Sequence, residues 1–178
     1  MFSMEYAFAW TKEYTQDFNM GDNDSRNTAR EWAVDQIKLK AAQEAGTYIQ
    51  GTTKLVGNDL QETITQIGAS IVRITVNSDA MITTADGKPA LRVSATADVD
   101  ESVLTQRIKM MQEDDKKARD LQLLAQENQK LREEILALAA QKTTTTDSKA
   151  LADILARETT ILASLDRNST RTQEIFVP

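Results

Sequence analysis

The chain has 178 residues, 40% hydrophobic and 27% charged, with a net charge of −6 and a pI near 4.8. That is the composition of a soluble domain with an extension, and its acidic balance argues against holding a phosphate backbone, so no nucleic-acid partner is expected. It contains neither cysteine nor histidine, which excludes disulfides, thiolate metal sites, cysteine nucleophiles and Ser-His triads and leans toward a protein that is not an enzyme.

Residues 1–9 are mostly apolar and end in Ala7-x-Ala9, the small-x-small pattern of a signal-peptidase site. A complete signal also needs a basic start and an uninterrupted apolar core, and Glu5 breaks this one. Two readings stand: the remnant of a signal peptide that begins upstream, and a short apolar terminus. Nothing approaches the roughly 18–20 apolar residues of a transmembrane segment.

Residues 10–103 read as an α+β domain, a helix packed on a small, mostly antiparallel sheet. Trp10–Met20 alternates loosely as a first strand. Gly21-Asp22-Asn23-Asp24-Ser25 is a turn that also starts a helix, with Asp24 or Ser25 as cap. Ala29, Ala33, Ile37, Ala41 and Ala45 then recur every four residues, a small-residue stripe suited to close packing, and Gly46 stands where a helix terminator belongs. Thr47–Val56 is rich in β-branched and aromatic residues and predicts a second strand. A short helix carrying Leu60, Ile64 and Ile67 is expected to end at Gly68. Val72, Ile74 and Val76 alternate with polar residues, and so do Leu91, Val93, Ala95, Ala97 and Val99. Between the two runs Asp86-Gly87 predicts a hairpin turn.

Glu101–Gln141 contains no Gly or Pro, and its apolar residues recur every three or four positions. As one helix it would span about 60 Å, too long for a domain of this size to bury. Around Met111–Ala118 the spacing drops to consecutive threes, a shift of the stripe like a coiled-coil stammer, and there the long helix (104–142) is expected to leave the domain. Beyond it Leu121, Asn128 and Ile135 take heptad position a and Leu124, Leu131 and Leu138 position d. This is an oligomer seam in which Asn128 would set register and Glu127 with Arg132 would form a cross-helix ion pair. Thr143–Thr146 interrupts the run. A second helix is expected over 147–167, followed by an extended tail over 168–178. A coiled coil with a hinge and a helical hairpin both fit this break.

Groupings that could carry chemistry are few and weak. Asp22-x-Asp24 lacks the glycine and the later glutamate of a calcium loop. Glu113-Asp114-Asp115 is a weak cluster of oxygen ligands, Glu133-Glu134 reads as a solvated helix face, and Gly46, Gly51, Gly57 and Gly68 are too scattered for a phosphate loop. No cofactor and no metal site is expected.

Ala29-Arg30-x-x-Ala33, Ala45-Gly46-Thr47-Tyr48-Ile49, Ile67-Gly68-Ala69, Ile71-Val72-Arg73-Ile74 and the Asp86-Gly87 turn, in that order, resemble the N-terminal domain of flagellar assembly protein T and related small periplasmic and envelope lipoprotein domains, over residues 22–99. The resemblance implies export to the periplasm or outer cell envelope, no catalytic site, and a role in protein–protein contacts. The chain lacks the further domains of the flagellar protein and a lipobox cysteine, and residues beyond 104 have no counterpart there. The expectation is a non-enzymatic exported bacterial envelope protein, a homo-oligomer through its helical region with an envelope protein as further partner. The alternatives are a monomeric adaptor whose second helix folds back on the first, and a filament or virion subunit.

Overall fold

The computed structural model describes residues 9–22, 24–53 and 59–178. Residues 1–8 and 54–58, and with them the N-terminal segment and the end of the expected second strand, lie outside the described residues. The architecture is α+β: β1 (Ala9–Asn19), α1 (Arg26–Thr53), α2 (Asp59–Ile71), β2 (Arg73–Thr83), β3 (Pro89–Asp100), α3 (Glu101–Glu113), α4 (Asp115–Lys142) and α5 (Ser148–Glu174). The sheet is antiparallel with order β1-β3-β2.

The hairpin forms as its alternation predicts, and Gly87 takes φ 76° in the turn, a conformation that L side chains avoid. Leu91, Val93, Ala95, Ala97 and Val99 of β3 are fully buried against the helices. The opposite face is polar and carries cross-strand pairs such as Thr11–Asp98 (2.6 Å) and the bidentate Arg92–Asp17 (2.8 Å for both bonds). A bulge between Val76 and Ser78 resets the alternation of β2. It puts Asp79 opposite buried Val93, and Asp79 then receives Arg26 (2.6 Å) and Arg30 (3.6 Å) of α1.

α1 departs from expectation. The residues expected to start a second strand continue the helix to Thr53, so the sheet has three strands. The four-residue stripe explains this: after Ala29, Ala33, Ile37, Ala41 and Ala45 comes Ile49, also buried, while Tyr48 is exposed. The energy of keeping that stripe against the sheet and α2 outweighs a β preference that spans only about 1 kcal/mol per residue. Gly46 and Gly68, expected as helix ends, are interior. A Cβ on Gly68 would stand 3.1 Å from that of Ala42, and one on Gly46 2.9 Å from Ile64 Cγ2, so both let α1 and α2 approach closely.

The expected 60 Å helix is also broken. Asp114 adopts an extended backbone (φ −135°, ψ 100°) between α3 and α4, and its carboxylate caps α4 by accepting from the Lys116 and Lys117 amides (3.0 and 3.1 Å). Asp100 caps α3 in the same way, through Ser102 and Val103. The break lets α3 bury Leu104, Ile108 and Met111 beside Ile64, Ile67 and Val99, after which Leu121 of α4 enters the same core. The main core therefore runs across the expected boundary between 10–103 and 104–142.

α5 returns antiparallel along α4, capped by Asp147 on the Ala150 amide (2.9 Å). It does not stop at residue 167. It continues through the expected extended tail to Glu174, and Phe176 then packs into the main core, with the Arg107 guanidinium 5.1 Å from its ring centre.

Candidate functional site

The expected oligomer seam lies inside the chain. Leu121, Leu124, Asn128 and Ile135 are buried, and Leu131 and Leu138 are half-buried beside the cluster of Ile135, Ile161, Leu162 and Leu165. α5 and α2 take the place expected of a second chain. Asn128 donates to Gln66 Oε1 of α2 (2.8 Å) and accepts from Asn168 Nδ2 of α5 (2.8 Å), while Gln66 donates to Thr172 (2.9 Å). All four side chains are at most 5% exposed. Each amide is matched to a neighbour of the right polarity, which is the condition for burying such groups at little cost.

The Glu127–Arg132 pair expected across chains does not form in that way. Glu127 accepts from Asn168 (3.1 Å) and faces Arg171 at 3.6 Å. Arg132 turns to α1 and grips Asp35 with two bonds of 3.1 and 3.2 Å. The reason is positional: α4 packs on α2 and α5 and faces α1 across a cleft, so its two flanks meet different elements.

Between α1, α4 and α5 lies a cleft of about 750 Å³. Gln66 and Asn128 reach its floor. The Asp35–Arg132 pair with Arg30 and Lys38 forms one side, and Thr159, Asp166 and Ser169 of α5 the other. The lining mixes both charges with small and aliphatic groups and includes no aromatic ring.

At the hairpin tip, Lys142 at the end of α4 contacts Asp24 and both carboxylate oxygens of Glu158 (2.9 and 3.0 Å), with side chains 10%, 6% and 4% exposed. Asp24 also accepts from the Gly21 amide (2.7 Å). Burial pushes the Glu158 carboxyl above its ordinary value against the opposing pull of Lys142. Burial pulls the Lys142 ammonium down, and its bonds to the two carboxylates more than offset this, leaving it above the lysine value. The cation that Asp24 holds is the Lys142 ammonium. A smaller hollow of about 490 Å³ beside the tip is walled by Phe18, Trp32, Pro89 and Leu151, the two rings meeting edge to face at 5.2 Å.

Asp114 of the acidic cluster is a helix cap, and Glu134 of Glu133-Glu134 is bound by Arg157 through Nε and Nη2, the latter at 2.8 Å. Among the described residues no three His, Cys, Asp or Glu side chains form a group that would hold a metal ion, and no helix is long and apolar enough to cross a membrane. Sequence reasoning missed Gln66, Asn168, Thr172 and Lys142. Only Asn168 carried a local signal, an amide inside an otherwise heptad-compatible run.

Comparison of the chain with protein-family models, curated proteins and solved structures returned no match, so the functional reading rests on geometry and residue pattern.

Proposed function

We propose that the protein is a non-enzymatic interaction module of the bacterial cell envelope, exported, whose α+β body and helical hairpin hold an extended polar segment of a partner protein in the α1/α4/α5 cleft. The observation that carries this reading is the return of α5 along α4. It covers the apolar seam within the chain and leaves a ring-free cleft of mixed charged and aliphatic lining as the larger of the two hollows described. Its volume is within the range of ordinary ligand sites, and a lining that carries Arg30, Lys38, Asp166 and Ser169 suits a polar peptide segment better than a flat apolar ligand. The export part rests on Ala7-x-Ala9 and on the resemblance of residues 22–99 to periplasmic and envelope domains.

A second reading, a self-assembling scaffold or a filament or virion subunit, is favoured by the sheet. In the order β1-β3-β2 both outer strands keep a free edge among the described residues.

The test places a photo-crosslinking residue at Lys38 or Asp166 in the cleft, and at Thr75 on the exposed sheet face as control, in cells that make the protein. The module reading expects a discrete heterologous adduct from both cleft positions, little from Thr75, and recovery of the protein with the envelope fraction. Adducts with the chain itself from Thr75 favour the scaffold. Equal adducts from all positions, or recovery with the cytosol, refute the proposal.

A further inference from the structure

We propose that α5 is an exchangeable element: the α4–α5 hairpin opens at residues 143–147, and α5 of one copy seats on α2 and α4 of a second copy, which returns its own α5 to make a closed dimer.

The first ground is that α5 holds on by one face. Ile154, Glu158, Ile161, Leu165, Asn168 and Thr172 are buried along it. Their partners, Gln66 of α2, Asn128, Ile135 and Lys142 of α4, and Asp24, all lie outside α5. A helix of the same sequence from a second copy regenerates every one of these contacts, so the closed and exchanged forms differ only in the link and in the entropy of association.

The second ground is the link. α4 ends at Lys142 and α5 begins at Ser148, leaving five residues, four of them threonine. The reversal is held by an unusual concentration of donors on the Gln141 carbonyl: the Thr144 and Thr145 amides (3.1 and 3.0 Å) and both their hydroxyls (3.2 and 2.7 Å). A carbonyl offers two lone pairs. Continuing α4 straight through the link gives each amide a carbonyl of its own four residues back. Threonine opposes that extension only weakly, by less than about 0.7 kcal/mol per residue relative to alanine. The hinge therefore stands close to balance, the situation in which short links invite exchange.

The third ground is address. An apolar stripe alone accepts many helices, but the Gln66–Asn128–Asn168–Thr172 chain of bonds is satisfied only by a helix that presents Asn and Thr in this register. The segment in view that does so is α5. In the exchanged dimer the Thr159, Asp166 and Ser169 wall of each cleft comes from the other copy, so both clefts become intersubunit sites.

The absence of cysteine makes the test direct. Leu131→Cys and Leu165→Cys lie three residues along α4 and α5 from the Asn128–Asn168 contact, in the antiparallel sense that keeps them opposed. Oxidation of a dilute sample is expected to give an intrachain disulfide and a monomer. Oxidation after long incubation at about millimolar concentration is expected to give a covalent dimer that reductant dissolves. Thr144→Ala, Thr145→Ala and Thr146→Ala together should raise the dimer fraction about tenfold by favouring a continuous helix. In parallel, native mass spectrometry of mixed heavy-isotope and unlabelled wild-type chains should show mixed-mass dimers, whether or not the cysteine variant oxidises. Absence of mixed dimers at every concentration overturns the proposal. So does a dimer whose disulfides are all intrachain, since the copies then join by another surface.

Discussion

Asn128→Leu separates two accounts of the helical region because they demand opposite signs. In the structure Asn128 is 3% exposed and bridges Gln66 and Asn168. Leucine has the same branched side-chain skeleton but cannot hydrogen bond, so Gln66 Oε1 loses its donor and one N–H of Asn168 loses its acceptor. Leaving a buried polar group unpaired costs about 1–3 kcal/mol, or about 4 kcal/mol for two. Burying the leucine side chain returns about 2 kcal/mol, so the net loss is about 2 kcal/mol. For a chain of this length each kcal/mol moves Tm by roughly 2–4 °C, and calorimetry should record a drop of about 4–8 °C. Adding Gln66→Met and Asn168→Leu removes the orphaned amides and should restore most of the loss, since Thr172 keeps its bond to the backbone carbonyl of residue 168 and replacing the other partners together is close to neutral.

At an interchain heptad a position the same change works the other way. Asn costs stability there in exchange for register, and leucine raises the stability and the order of the assembly. Urea titration with light scattering on the same samples makes the comparison. A raised or unchanged midpoint together with a rise in mass would refute an intrachain role for Asn128.

Four further outcomes follow from the geometry. Lys142→Met leaves the Asp24 and Glu158 carboxylates buried without their cation and should cost about 3–5 kcal/mol in urea unfolding; a loss under about 1 kcal/mol would mean the site is wet. Glu158 has a folded pKa raised by burial, so the folded state binds its proton first and this group adds stability as pH falls from its folded value toward about 4.5. The unfolding free energy of wild type relative to Glu158→Gln should therefore grow on acidification from pH 7, and a flat or opposite slope contradicts the burial. Asp17, held low by its bond to Arg92, acts in reverse: its contribution is intact above the unfolded value near 3.8 and disappears as pH falls through the lowered one, a limb that Asp17→Asn should flatten. Among the glycines, Gly87→Ala should lose about 1–2 kcal/mol to its positive φ. Gly51→Ala, with open space around it inside α1, should gain up to about 1 kcal/mol, and Gly68→Ala should lose stability against Ala42, all by calorimetry.

The parts of the fold that were legible are those in which one local signal acts without competition. The β2–β3 hairpin carries both an alternation and a turn that needs glycine, and it stands as read. Residues 47–53 carry two signals in conflict, β-branched composition and the continuation of a four-residue stripe to Ile49, and the stripe prevails because burial acts over the whole helix. Around Met111–Ala118 the shift of spacing marks a real change, but it does not reveal whether the helix bends or projects. That is decided by the Asp114 cap together with room in the core for Leu121.

The seam was legible as a seam and not as to its partner, for a physical reason. Heptad spacing describes what a helix needs to bury, and a returning helix of the same chain meets that need as well as a second molecule does. What decides the partner is polar. Gln66 lies 62 residues before Asn128, and Asn168 lies 40 after it. Asn168-Ser169-Thr170, read locally, ends a helix through poor propensity. In the fold those residues stay helical because Asn168 and Thr172 close a buried set of bonds and Phe176 beyond them fills the main core. The residues that break local rules most clearly, an amide at a heptad core position and an amide followed by a buried hydroxyl in a closing helix, are therefore the ones that match α5 to α4 and α2. The aliphatic stripe supplies the energy of that contact, and the amides supply its identity.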